Sequence, residues 1–259
     1  MEIEFDLQKS VDENAGLYYD LAKKTKKKIQ GAQSMIDDTK KKLEKLRKEE
    51  SFYFQEEEKK QSKVVRKKEW YEKYHWFISS ENFLCIGGKD ATTNEIIIKK
   101  HLDKEDIVMH TEAPGSPFFV IKNGQQATEK TLAEAAQAVA VFSRAWKMGL
   151  GTAEVFSVKP EQVSKEAKPG EFMSKGSFMV YGKREFYRPK LEYAVGNLDG
   201  NAIGGPVAAV AAKTSKYVVL GFGKEKKSDT AKKVKNKLGL TDLDEIMGFV
   251  PSGGAEVKK

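Results

Sequence analysis

The 259-residue sequence has a single cysteine, Cys85, which leaves no disulfide framework and no cysteine-rich zinc site. Its three histidines, His75, His101 and His110, are too few and too scattered to mark a metal centre. No cofactor or metal is expected. No run approaches the ~18–20 consecutive apolar residues that cross a bilayer, and a start containing Glu2, Glu4 and Asp6 does not resemble a signal peptide. These absences lead to the expectation of a soluble, cytoplasmic protein from a reducing compartment, with no membrane partner. Proline is missing before Pro114, and glycine is missing between Gly31 and Gly87. Nothing therefore punctuates a helix from about Glu13 to Tyr74, a rod on the order of 90 Å long.

What is abundant is positive charge, and it is unevenly placed. The chain carries 46 Lys and Arg against 38 Asp and Glu, a net charge of +8. Eighteen basic and ten acidic side chains lie between Leu21 and His75, so that stretch alone carries a surplus as large as the whole chain's. The first twenty residues are acidic. The surplus beyond Trp76 equals that of the stretch Lys224–Lys237, where seven lysines face only Glu225 and Asp229. A basic rod followed by a nearly balanced globule argues against a uniformly coated nucleic-acid packager. Within the rod Ile29, Ala32, Ile36, Thr39, Leu43 and Leu46 recur at 3-4 spacing, the a/d seam of a coiled coil, which needs a partner helix.

Beyond Trp76 the periods shorten and an α+β fold is expected. WFIS (76–79) and FLCIG (83–87) read as strands around the turn Ser80-Glu81-Asn82. Asp90 caps a helix over 91–100, and IVMH (107–110) and FFVIK (118–122) are strands separated by a loop with Pro114, Gly115 and Pro117. Thr131 and Glu134 read as a capping box ahead of an Ala-rich helix that runs to Met148 and stops at Gly149. Strands TAEVFSV (152–158) and SFMVYG (177–182) complete a mixed domain over 76–188, after the helix of residues 1–75. Residues 189–259 read as a small appended α/β unit: a hairpin in LEYAVGNLDGNAI, a helix with Pro206 at its first position, a strand KYVVLGF and a helix over 227–238.

Gly87-Gly88 lies between a strand and a helix start, followed by Lys89. Its backbone N–H groups could cradle an RNA phosphate, or the glycines could only supply positive φ in a tight turn. Trp70, Tyr71, Tyr74, Trp76 and Phe77 interleave with Arg66, Lys67, Lys68 and Lys73, either as a stacking platform for single-stranded nucleic acid or as the foot of a helix entering a core. Asp90, Glu95, Asp106 and His110 could be gathered into a metal-dependent nuclease centre, although Asp90 also fits a helix cap and Asp106 a turn residue. Catalysis is not the expected role. Cys85, in an apolar strand, reads as an inert core thiol.

Ordered blocks of the sequence resemble a known family. KKEWYEKYHWFISSENFLCIGGKDATTNE, KKHLDKEDIVMHTEAPGSPFFVIKNG, TLAEAAQAVAVFSRAW and EQVSKEAKPGEFMSKGSFMVYGK are similar, in order, to the NFACT-R domain of the NFACT family, the NEMF- and RqcH-like ribosome quality-control factors. NAGLYYDLAKKTKKKIQGAQSMIDDTKKKLE resembles that family's middle coiled coil, and the C-terminal unit resembles the extension of archaeal members. Members usually carry glycine where Asn82 or Phe83 stands and commonly histidine where this chain has Pro114. The resemblance implies an RNA-binding module that acts on large ribosomal subunits obstructed by peptidyl-tRNA, with the large subunit, rRNA and tRNA as partners. On this reading the expected nucleic-acid-binding residues are the basic side chains Arg66, Lys67, Lys68, Lys89, Lys122, Lys165 and Lys183, with plain surface solvation as the alternative for the rod's cations and for Lys122 and Lys165. The family's N-terminal domain and helix-hairpin-helix region have no match in this chain, so tail synthesis by it alone is not expected. The partner of the seam would be that missing half or a second copy. The rival expectations are a coiled-coil protein-interaction adaptor and, behind it, the metal-dependent nuclease.

Overall fold

The computed structural model describes residues 4–61, 68–113, 115–165 and 176–258. They fall into two units, Met1–Lys67 and Lys68–Lys259. The first is built on helix α1 (Val11–Gln61). Ser10 and Glu13 form a reciprocal cap: Glu13 Oε2 accepts from Ser10 N at 2.8 Å, and Ser10 Oγ accepts from Glu13 N at 3.3 Å. Those hydrogen bonds hold the Glu13 carboxyl below the usual carboxylate range. Buried Asn14 binds the preceding turn, exchanging hydrogen bonds of 3.0 Å with the Asp6 backbone. The seam residues Ile29, Ile36, Leu43 and Leu46 are 48–63% exposed. The helix does not continue to Tyr74 as expected, because Trp70–Lys73 form turns. The aromatic rings explain the change: Trp70 stacks on His101 at 4.5 Å and Tyr71 packs on Trp76 at 5.1 Å, contacts that belong to the second unit.

The second unit is an α+β fold. Its first part contains β1 (His75–Ile78), β2 (Leu84–Gly87), α2 (Ala91–Lys100), β3 (Ile107–Thr111), β4 (Phe119–Ile121), α3 (Glu129–Val141), α4 (Arg144–Lys147), β5 (Val155–Val158), β6 (Val163–Ser164), β7 (Met179–Val180) and β8 (Glu185–Tyr187). Then come β9 (Tyr193–Leu198), β10 (Asn201–Gly205), α5 (Val207–Ala211), β11 (Tyr217–Gly221), α6 (Lys227–Leu238), α7 (Leu243–Phe249) and β12 (Glu256–Val257). An antiparallel sheet runs β1-β2-β4-β3-β5-β8, a second runs β10-β9-β11-β12, and β6 pairs with β7.

Both faces of the larger sheet are covered, which is why its strands read as apolar runs rather than as alternation. Ile86, Val108, Val120 and Phe156 point into one cluster with Ile97 of α2, Tyr74 and Phe118. Cys85, Met109, Phe119 and Ile121 point into the other, shared with α3 and with Tyr193, Val195, Leu220 and Phe249 of the C-terminal segment. The Trp146 indole N–H donates to Gly254 O at 2.9 Å and ties the same two regions. Residues 76–188 and 189–259 thus contribute to one core. Burial pushes the Cys85 thiol well above its usual value, as for an inert core residue.

Local chemistry accounts for most boundaries. Asp90 caps α2 through Thr93 N at 2.8 Å. Asn82 sits at φ 70 in the β1–β2 turn, the left-handed region that asparagine tolerates better than other side chains. Asp199 and Gly200, at φ 51 and 88, make the tight turn between β9 and β10. Two expectations fail at α3. Its cap is Thr128, whose Oγ1 accepts from Lys130 N at 3.3 Å, not Thr131. Thr131 and Glu134 point back to the β1–β2 turn: Thr131 Oγ1 donates to Glu81 Oε2 at 2.6 Å, and Glu134 Oε2 accepts from Ser80 N at 2.9 Å. The helix also ends at Val141, because Ser143 starts the separate turn of α4 by accepting from Ala145 N at 3.1 Å. Pro206 is the N-cap of α5 rather than its first residue.

Candidate nucleic-acid interface

The strand register gathers one set of strand ends. His75 pairs with Gly87, Gly87 with Phe119, and Phe119 with Met109, so the start of β1 and of β4 and the ends of β2 and β3 share one edge. The start of α2, the 111–118 loop, the 176–184 segment, α4 and Ser252 surround a cleft of about 850 Å³ at that edge. Its floor is aromatic. His110 stacks on Phe118 at 3.9 Å, Phe178 meets Phe118 edge-on at 5.4 Å, and His75 stacks on Phe142 at 3.8 Å. Burial keeps both imidazoles neutral near pH 7: His110 titrates at about 4, and His75, with Lys89 and Lys227 adding to the effect, at about 3.

Cations line the cleft walls. The Arg184 guanidinium lies over Phe156, 4.7 Å from the ring centroid, and its Nη1 donates to Glu112 Oε1 at 2.5 Å. Asp90 is committed to the α2 cap. Among the described residues no carboxylate pairs with Lys89 or Lys147, and partial burial holds the Lys89 ammonium below the usual lysine range. A water-accessible cleft holding cations that lack partners has the electrostatic character to take anions.

The two glycines play neither of their expected roles. Neither has positive φ. A Cβ on Gly87 would lie 2.2 Å from the Phe119 ring, and one on Gly88 would lie 2.0 Å from Asn94 Oδ1, the atom that accepts from Phe118 N at 3.1 Å. Close packing is what excludes a side chain here. The local amides are also occupied: Gly88 N donates to Phe118 O at 3.2 Å, and Lys89 N and Asp90 N donate to Thr93 Oγ1 at 2.8 and 2.9 Å. The amides of Gly88–Asp90 are therefore not free to form a phosphate cradle.

The remaining expected contacts scatter. Arg66 and Lys67 lie outside the described residues, as does Pro114. Lys68 is exposed ahead of the Trp70 turn, and Lys183 is exposed beside Arg184. Lys122 is held inside the protein by His101 O at 2.8 Å, Asp103 Oδ2 at 2.6 Å and Asp106 Oδ2 at 2.5 Å, at the opposite end of the sheet. Lys165 pairs with Glu95, which also meets Lys99 at 2.8 Å, and the two lysines hold the Glu95 carboxyl down at about 2. Sequence reading missed Lys147 and Arg184, although the basic pair Lys183-Arg184 was a signal. Of the stacking set, Tyr74 and Phe77 are buried and Trp70 keeps one exposed face. The nuclease set does not assemble. Asp106 holds Lys122 and Asn123 N, Glu95 holds two lysines, and among the described residues no group of three His, Cys, Asp or Glu side chains is placed to hold a metal ion.

Residues 73–182 match the family described as "NFACT protein RNA binding domain", a span that contains most of the cleft. The chain is 41% identical over 202 residues to the archaeal Rqc2 homolog aRqcH of Methanocaldococcus jannaschii, covering 74% of this chain and 30% of that protein. The chain belongs to the NFACT family. The human protein named "Ribosome quality control complex subunit NEMF" is 38% identical over 182 residues, 68% of this chain and 16% of its own length. This NFACT chain thus spans less than a third of the curated relatives it matches. The C-terminal part of the fibronectin/fibrinogen-binding protein of Streptococcus suis aligns with 50% of this chain and 48% of that one, at 16% identity and a TM-score of 0.39.

Proposed function

We propose that this chain grips RNA within a ribosome quality-control factor, binding ribosomal RNA and tRNA on large subunits obstructed by peptidyl-tRNA, in the cytoplasm, by holding RNA rather than transforming it. The observation that supports this reading is the cleft, where among the described residues no carboxylate pairs with Lys89 or Lys147, inside a domain of an RNA-binding family. Cations of this kind position a protein on the phosphate backbone without reading sequence. The names of the relatives, ribosome quality control complex subunits, fit the same setting. Co-sedimentation of the purified chain with large subunits, with and without peptidyl-tRNA, over a salt series tests it. Engagement of ~5 phosphates gives a log–log slope of about −3.5 against salt, with obstructed subunits retained to higher salt than empty ones. A flat salt dependence, or equal retention on both kinds of subunit, overturns the reading.

A further inference from the structure

We infer that the cleft takes an unpaired stretch of RNA, with a base laid against Phe178 and the neighbouring phosphates on Lys89 and Lys147, and that paired RNA does not enter it. The inference rests on the RNA reading of the cleft and narrows it to single strands.

The floor carries the argument. Cations around a depression would hold any phosphate backbone, paired or unpaired. Here they surround aromatic rings that the fold leaves partly open. Phe118 is buried, while the two rings against it, His110 at 3.9 Å and Phe178 edge-on at 5.4 Å, are half-buried and line the cleft. His75 and Phe142, also half-buried, line it as a second stacked pair. The two groups come from opposite faces of the larger sheet. By strand alternation His110 shares a face with Val108, in the cluster packed on α2, and His75 shares a face with Phe77, in the cluster packed on α3. The cleft therefore wraps round the end of the sheet and presents ring surface on both sides of it.

Its volume of about 850 Å³ lies within the ~300–1,000 Å³ of pockets that enclose a small organic molecule. A single base with its ribose belongs to that size class. The bases of a duplex stay stacked in its interior, whereas those of a single strand can splay out onto aromatic side chains. The polar groups beside the rings suit such a base. Among the described residues neither ring nitrogen of His75 has a hydrogen-bond partner, which leaves them for a base edge or a 2′-hydroxyl. Both imidazoles are uncharged near pH 7, and the Arg184 guanidinium over Phe156 adds a further planar surface on which bases stack.

The test is binding of labelled RNA to the full chain across a salt series, with a short mixed-sequence strand and the blunt duplex it forms with its complement. Wild type is compared with Phe178→Leu, which keeps apolar bulk and removes the ring, Phe178→Tyr, which keeps the ring, Lys89→Gln and Lys147→Gln. Phe178→Leu should weaken the single strand roughly tenfold at an unchanged salt slope, and Phe178→Tyr should match wild type. Lys89→Gln should reduce the slope for the single strand by about 0.7, and duplex binding should be the same in all five proteins. Wild-type affinity of Phe178→Leu for the single strand, or equal losses on strand and duplex, overturns the inference; the RNA reading of the cleft stands if Lys89→Gln is impaired. If Lys89→Gln and Lys147→Gln both bind the two RNAs as wild type does, both fail. A strand carrying 2-aminopurine needs no variant: its emission should fall through stacking on saturation with the wild-type chain, and unchanged emission overturns the inference. Tighter binding of polyglutamate than of the single strand would assign the cleft to an acidic polypeptide and overturn it as well.

Discussion

His75 and His110 show how the cleft trades stability for chemistry. Folding lowers their titration from the usual 6.5 to about 3 and about 4, chiefly through burial, and it lowers His101 as well. The folded chain therefore refuses protons that the unfolded chain accepts. Their contribution to stability is complete above pH 6.5 and is lost as pH falls toward the folded values, by up to about 1.4 kcal/mol per pH unit for each ring. Carboxylates held low by partners, such as Glu95, lose their contribution only below pH 4.5. Between pH 6.5 and 4.5 the decline thus belongs to the imidazoles. Urea unfolding at stepped pH should show this fall, and His75→Gln should reduce its slope by about one proton. An unchanged slope in the variant would mean that His75 is protonated in the folded protein. The neutral rings leave the field of the cleft to the side chains of Lys89, Lys147 and Arg184.

At the scale of elements, α1 depends on propensity and its Ser10–Glu13 cap, because Ile29, Ile36, Leu43 and Leu46 remain exposed. A helix without a covered apolar face is marginal even when long. Trp70, Trp76 and Trp146 all lie in the Lys68–Lys259 unit, so fluorescence reports that unit, while about half of the helical signal in ellipticity at 222 nm comes from the 51-residue helix. Heating the isolated chain should lower ellipticity well before the tryptophan transition, and sedimentation at the same concentration should give a monomer. A dimer with coincident transitions would show that the seam covers itself in a second copy, as the adaptor reading requires. Elements whose signal is local were legible in sequence. Asp90 announced α2, Lys227–Leu238 was read to its boundaries, and the hairpin around Asp199-Gly200 followed from its turn residues. The misreadings came where a local motif serves a distant partner. Thr131 and Glu134 match a cap in spacing, yet their partners Glu81 and Ser80 lie about 50 residues away, on the β1–β2 turn. The cleft was half legible for the same reason: Lys89 stood beside a recognisable loop, whereas Lys147 and Arg184 reach it only through tertiary packing. Lys122 looked like an exposed strand-end cation until Asp103 and Asp106 closed on it.

For the whole molecule, the division suggested by charge differs from the division made by packing. Sequence composition separates a lysine-rich tail from the domain before it, but the core runs through both. Phe77, Phe119 and Trp146 share a cluster with Tyr193, Val195, Leu220 and Phe249, and Gly204 lies so close to Phe249 that a Cβ would sit 2.4 Å from its ring. Removing residues 189–259 would expose the α3 side of the larger sheet and its aromatic residues. Uncovering several large side chains, each contributing about 1.5–3 kcal/mol of burial, exceeds the 5–15 kcal/mol net stability of an ordinary domain once backbone contacts are lost with them. A chain ending at residue 188 is therefore expected to lose its cooperative tryptophan-fluorescence transition and to be cut rapidly by trypsin at sites protected in the full chain. If it instead melts cooperatively near the wild-type temperature, the two parts fold independently and the shared cluster is only a docking contact.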